Sequence, residues 1–110
     1  MEVYDWATSG HLSAAISTLN RALGQFARWH GIVYIGVTGS PASREEEHKR
    51  SGWGEMVYLY RTGSRKYAYE MENRLIDHCR SRGYSANDIG GSGGRRPCQC
   101  DVYYIYMLLE

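Results

Sequence analysis

Between Ser9 and Trp29 the apolar residues Leu12, Ile16, Leu19, Leu23 and Phe26 recur at alternating spacings of four and three, which gathers them on one face of a helix. A stripe of that length has to be covered. In a chain of 110 residues the cover has to come from one compact unit, because the length suits a single domain and is short for two. Thr8 or Ser9 is placed to cap the start of this helix, and His30-Gly31 offers a stop where glycine tolerates a left-handed turn.

The rest of the chain supplies the cover. Gly31 to Thr38 is β-branched and aromatic and reads as a buried strand. Gly39-Ser40-Pro41 ends it, with Ser40 as cap and Pro41 in the first turn of a charged helix over Ala42 to Ser51. Arg44 and His48 lie four apart on that helix and so point to one side. After Ser51-Gly52-Trp53-Gly54 a second strand spans Glu55 to Thr62. A helix follows over Lys66 to Arg82, where Ala68, Met71, Leu75, Ile76 and Cys79 form the apolar stripe and Glu72 lies beside it. Gly83 to Arg96 reads as a loop around Gly90-Gly91-Ser92-Gly93-Gly94, whose backbone near Arg95 and Arg96 suits close approach to a phosphate or a plain surface connection. Asp101 to Leu109 gives the clearest strand pattern. The expected fold class is α+β, with a small central, mostly antiparallel sheet of three to four strands flanked by helices.

Hydrophobic residues make up 43% and charged residues 23%, a globular balance that disfavours disorder or a fibrous repeat. The formal charge of +1 argues against tight nonspecific coating of polyanions. Yet eleven of the thirteen basic residues are Arg, against Lys49 and Lys66, and the guanidinium fork pairs bidentately with phosphate. A local basic face is expected. No apolar run approaches the roughly 18 residues of a membrane span, and Met1 to Asp5 lacks a signal-peptide pattern. An intracellular location, cytoplasmic or nuclear, is expected. Cys79, Cys98 and Cys100 are odd in number, and Cys98-x-Cys100 is too tight for common zinc ladders, so free thiols in a reducing compartment are expected.

Four residues carry chemistry together. Arg44 suits a phosphate clamp, since its charge does not titrate. Glu72 suits a divalent ion, because magnesium usually takes only one or two protein carboxylates beside waters and a substrate phosphate. Tyr34 can act as a base only if nearby positive charge lowers its phenol, which otherwise is ionised about one part in a thousand at neutral pH, a cost of roughly 4 kcal/mol. His48 titrates near neutrality and can take a proton directly or relay one from Tyr34. Singly, each has a plain explanation as a strand aromatic or a solvated helix residue, with Glu72 exposed near Asp77. Their joint order along strand, helix, strand and helix is what favours a site.

That order, Tyr34-Ile35-Gly36-Val37-Thr38, then Arg44 ten residues after the tyrosine, His48 one helical turn on, and Ala68-x-x-x-Glu72-x-x-Leu75, resembles the GIY-YIG nuclease family. The resemblance runs from Gly31 to about Ile76, and Gly83-Tyr84 with Asn87-Asp88-Ile89 looks like the family's closing asparagine segment. It implies a three-stranded antiparallel sheet flanked by helices and one-metal hydrolysis of DNA with magnesium, or manganese in its place. Carried over, Tyr34 is the base, Arg44 the phosphate ligand, Glu72 the metal ligand, His48 the helix histidine and Asn87 a substrate contact. The family's first strand, with its own tyrosine, is missing from its usual place before Tyr34. Tyr4, Tyr103, Tyr104 and Tyr106 are the candidates to replace it, with Tyr104 taken as a substrate contact and a rearranged chain order conceivable. A magnesium-dependent DNA endonuclease is thus the expectation, and a noncatalytic nucleic-acid-binding domain the alternative. Targeting is expected from a partner, from homodimerisation, or from a branched or damaged substrate.

Overall fold

The structure, a computed structural model, describes residues 1–29, 33–83 and 101–109. Elements follow in the order β1 (Glu2–Thr8), α1 (Leu12–Trp29), β2 (Val33–Thr38), α2 (Pro41–Arg50), β3 (Glu55–Thr62), α3 (Arg65–Ser81) and β4 (Tyr103–Leu109). The expectations for Gly31, Tyr84, Asn87, the glycine run, Arg95, Arg96, Cys98 and Cys100 lie outside the described residues.

The four strands form one sheet in the order β1-β3-β4-β2. β4 runs antiparallel to both β2 and β3, while β1 runs parallel to β3 at the edge. This is an α+β fold with a mostly antiparallel sheet flanked by helices. β4 thus sits in the interior of the sheet, between the strands on either side of α2. β1 has no counterpart among the strands read from sequence patterning. Its residues are largely exposed, so no apolar alternation marks it, and Trp6 rests on Phe26 of α1 with ring centroids 5.2 Å apart.

Successive strand residues point to opposite faces, and both faces of this sheet are used. Ile35, Val37, Val57, Leu59, Ile105, Met107 and Leu109 meet Leu12, Leu19 and Leu23 of α1 and Ala68, Met71, Leu75 and Ile76 of α3 in the main core. On the other face Met56, Tyr58, Tyr106 and Leu108 form a second cluster with partly buried Tyr34, Trp53 and Tyr104. Two buried faces explain why β4 reads as an unbroken apolar run. Helix α2, which has no fully buried residue, crosses this second face and brings His48 and Glu45 onto it.

Local chemistry sets the element ends. α1 begins at Leu12, three residues past Ser9, because His11 caps it: its carbonyl accepts from the amides of Ala14 and Ala15, and its ring Nδ1 accepts from the Ser13 amide at 3.2 Å. Ser40 occupies the cap position of α2 without a side-chain capping bond, and Pro41 opens the helix. Ser64 caps α3 by accepting from the Tyr67 amide at 3.1 Å. Gly83, at φ +76, ends it in the left-handed region that glycine enters freely. In β3 the register against β4 slips between Tyr58 and Tyr60, so that Tyr58 opposes Tyr106 while Tyr60 opposes Ile105. Leu59 and Tyr60 therefore both face the main core, the signature of a β-bulge. No described helix is long and apolar enough to cross a membrane.

Candidate functional site

Gly36 is the floor of the site. It pairs with Tyr106 across β2 and β4, and a Cβ built on it would fall 2.5 Å from the Tyr106 hydroxyl oxygen and 2.6 Å from Cζ. No side chain fits there, and the phenol of Tyr106 takes up the space over the glycine. The ring is buried, and its oxygen is 2.8 Å from Nε2 of His48. Tyr34, two residues before Gly36 and on the same face, places its ring 6.2 Å from that of His48 and 6.3 Å from that of Trp53. One turn before His48, Arg44 is partly buried and pairs through one guanidinium nitrogen with Glu47 at 2.9 Å.

Tyr34, Arg44 and His48 thus gather on one face, as their spacing suggested, and Tyr106 joins them. Among the tyrosines left open for the missing first position, Tyr106 is the one hydrogen-bonded to His48. Tyr4 stands on the edge strand beside Glu2. Tyr103 lies in the main core. Tyr104 is on the site face, one row beyond Tyr106, with its ring 5.5 Å from that of Tyr58. Sequence alone could not separate Tyr103, Tyr104 and Tyr106, since only the register against β2 tells which of them meets Gly36.

Glu72 corrects an expectation. Its plain reading was an exposed residue near Asp77, but it is fully buried within the apolar stripe of α3. Neither carboxylate oxygen has a hydrogen-bond partner among the described residues, and burial pushes its pKa up to about 7. A carboxylate stripped of water without a partner is costly and answers by holding its proton or by meeting a cation. α3 packs on the opposite face of the sheet from α2, so no hydrogen bond or ion pair joins Glu72 to Tyr34, Arg44 or His48. Its charge nevertheless reaches the phenols of Tyr34 and Tyr106 and raises both.

Tyr34 could act as a base only if nearby positive charge lowered its phenol. Within the chain itself, burial first and Glu72 second raise it, against a smaller lowering by Arg44. Its phenol holds its proton. His48 moves the opposite way: burial, then Arg44, lower it below its ordinary value, and Glu47 offsets this only in part. A neutral imidazole at neutral pH follows. Its bond to Tyr106 permits two arrangements, and with Nε2–H donating to the phenol oxygen the Nδ1 lone pair is left to accept a proton.

Among the described residues no group of three or more His, Cys, Asp or Glu could hold a metal ion. Among the described residues Glu72, with two unpartnered oxygens, is the buried carboxylate whose chemistry fits a cation, and magnesium takes most of its remaining shell from water and phosphate. Cys79 is buried and free, its thiol pushed up to about 11 by burial, which makes it inert. Compared with protein-family models, with curated proteins and with solved structures, the chain matches none.

Proposed function

We propose that this chain is a magnesium-dependent nuclease of GIY-YIG type, cutting phosphodiester bonds in DNA. The observation that carries the reading is the hydrogen bond between His48 and Tyr106 over Gly36, beside Tyr34 and one helical turn from Arg44. It brings together a neutral proton acceptor, an orienting partner, a phenol donor and a guanidinium on one face. β4 runs antiparallel to β2 and carries Tyr106, which supports reading it as the counterpart of the family's first strand in a rearranged chain order.

The phosphodiester is held by Arg44, whose fork faces two phosphoryl oxygens once it leaves Glu47. Tyr34, protonated, donates to a phosphoryl oxygen. Nδ1 of His48 takes the proton of the attacking water as its oxygen bonds to phosphorus, the bond from phosphorus to the departing oxygen breaks, and that oxygen takes up a proton from solvent water to leave as an alcohol. Tyr106 accepts from Nε2–H and so fixes the ring, stabilising the imidazolium that forms. Glu72, on the far face of the sheet but with a charge that reaches the Tyr34 and Tyr106 phenols, would hold magnesium or manganese, which when bound would supply positive charge against that developing on phosphate. This role replaces Tyr34 by His48 as the base, because the Tyr34 phenol is raised and His48 lowered.

The test incubates plasmid, single-stranded and branched DNA with the purified chain in magnesium or in chelator. Magnesium-dependent cutting is expected. Glu72→Ala is expected to abolish cutting while leaving binding in chelator largely intact, and equal cutting by that variant would refute the metal role. Binding without cutting by the unaltered chain would instead favour a noncatalytic nucleic-acid-binding domain.

A further inference from the structure

A regular β3 would turn Tyr60 toward α2 and bury Arg61 against α1 and α3. The bulge inverts this: Leu59 and Tyr60 both enter the main core, and the Tyr60 hydroxyl is tied down by donating to the Gly10 carbonyl at 2.7 Å. Beyond it the register resumes with Arg61 opposite Tyr104, which in turn opposes Thr38. Residues opposed across a sheet point to the same face, so exposed Arg61 stands beside half-buried Tyr104 on the face that carries Tyr106 and His48. Bulges commonly re-aim a side chain beside a functional site. The row of Arg61 and Tyr104 lies two residues along β4 from the row of Tyr58, Tyr106 and Gly36, about 7 Å at roughly 3.4 Å per residue.

Charge bounds this strip on one side. Tyr58 donates to Glu45 at 2.9 Å, and Asp5 of β1 also acts on that phenol. Glu45 of α2 and Asp5 of β1 thus put negative charge beside Tyr58, while Arg61 of β3 stands further along, at the end of the sheet where β2 leads into α2. An arginine for phosphate and a flat ring for an unpaired base are the two parts that single-strand binding uses.

We infer that Arg61 and Tyr104 form a second subsite, which takes the phosphate and base of the nucleotide neighbouring the one at Arg44, His48 and Tyr34. The substrate class is then nucleic acid with an unpaired strand next to the cut. This rests on the nuclease reading above.

Binding of a fluorescein-labelled single-stranded oligothymidylate, read by anisotropy in chelator over a range of salt, tests it. Arg61→Ala is expected to weaken binding roughly tenfold and to make the slope of log affinity against log salt shallower by about 0.7. Arg61→Lys should retain the slope, and Tyr104→Leu should weaken binding with the slope unchanged. Arg74→Ala, which removes an exposed cation from α3, should match the unaltered chain. Wild-type affinity and slope for Arg61→Ala, or an equal loss for Arg74→Ala, would overturn the subsite. If the unaltered chain cuts DNA while Arg61→Ala binds and cuts as well as it does, the subsite alone fails. An unaltered chain that neither binds nor cuts refutes the nuclease reading and the subsite with it.

Discussion

Nε2 of His48 lies 2.8 Å from the hydroxyl of Tyr106, which stands 58 residues further along the chain. Tyr106→Phe removes that bond and leaves the ring over Gly36. A loss of about 0.5–1.5 kcal/mol in stability is expected from urea unfolding, the range for one hydrogen bond. On the nuclease reading, cutting should fall roughly tenfold or more, since orientation of a general base is worth at least that. Unchanged stability and unchanged rate together would show that the bond orients nothing.

Gly36 and Tyr106 form one packing unit. Gly36→Ala places a methyl 2.5 Å from the Tyr106 oxygen, and overpacking of this kind costs about 1–3 kcal/mol. Combining it with Tyr106→Leu, which withdraws the ring, should give a double variant more stable than the sum of the two single changes predicts. Additive losses in thermal unfolding would contradict direct contact between the two positions.

Glu72 gives the stability a pH dependence of definite sign. Its folded value, about 7, stands above the ordinary 4.5, so the folded chain holds a proton that the unfolded chain has released. The favourable contribution is complete below about pH 4.5 and is lost as pH rises through 7. At about 1.4 kcal/mol per pH unit the loss is on the order of 3 kcal/mol. Glu72→Gln should therefore be more stable than the unaltered chain at pH 8 in chelator, and the advantage should vanish near pH 4. Magnesium should raise the melting temperature of the unaltered chain at pH 8 and leave that of Glu72→Gln where it was.

His48 predicts the opposite limb for activity. A base must be neutral, and burial with Arg44 lowers its pKa, so at magnesium concentrations that saturate Glu72 the acid-side fall in cutting should lie below the ordinary histidine value of 6.5. Removing the neighbouring positive charge with Arg44→Gln should move that fall to higher pH. A fall at unchanged pH in this variant would separate His48 from the proton transfer.

Arg44 must exchange Glu47 for phosphate. Glu47→Gln frees the guanidinium from its 2.9 Å partner and should tighten binding of a single-stranded oligonucleotide a fewfold, with the salt slope slightly steeper. Weaker binding would mean that Glu47 holds Arg44 in its working position.

Much of this was legible in the residues, and the parts that were not have physical reasons. β3 begins and ends at Glu55 and Thr62 as its aromatic and branched content predicts. The stripe from Leu12 to Phe26 marks α1, yet its first turn depends on a ring nitrogen of His11, a residue outside the usual capping set. β1 is an edge strand with little to bury, so hydrophobic patterning is silent there. Arg44 and His48 on one side of α2 follow from helical spacing. The choice of Tyr106, and the return of Arg61 to the site face, follow from register and from a bulge, neither of which a single strand's sequence encodes. The burial of Glu72 was half visible, as a position beside an apolar stripe, and the depth of the stripe decided the rest.

The placement of β4 between β2 and β3 also governs how the molecule comes into being. During synthesis the other described strands and helices leave the ribosome before β4, and among the described strands β2 has none to pair with until then. His48 acquires its partner at the same moment. Formation of the sheet and assembly of the site are thus a single late event of high contact order, slow by the measure of chains that fold through near neighbours.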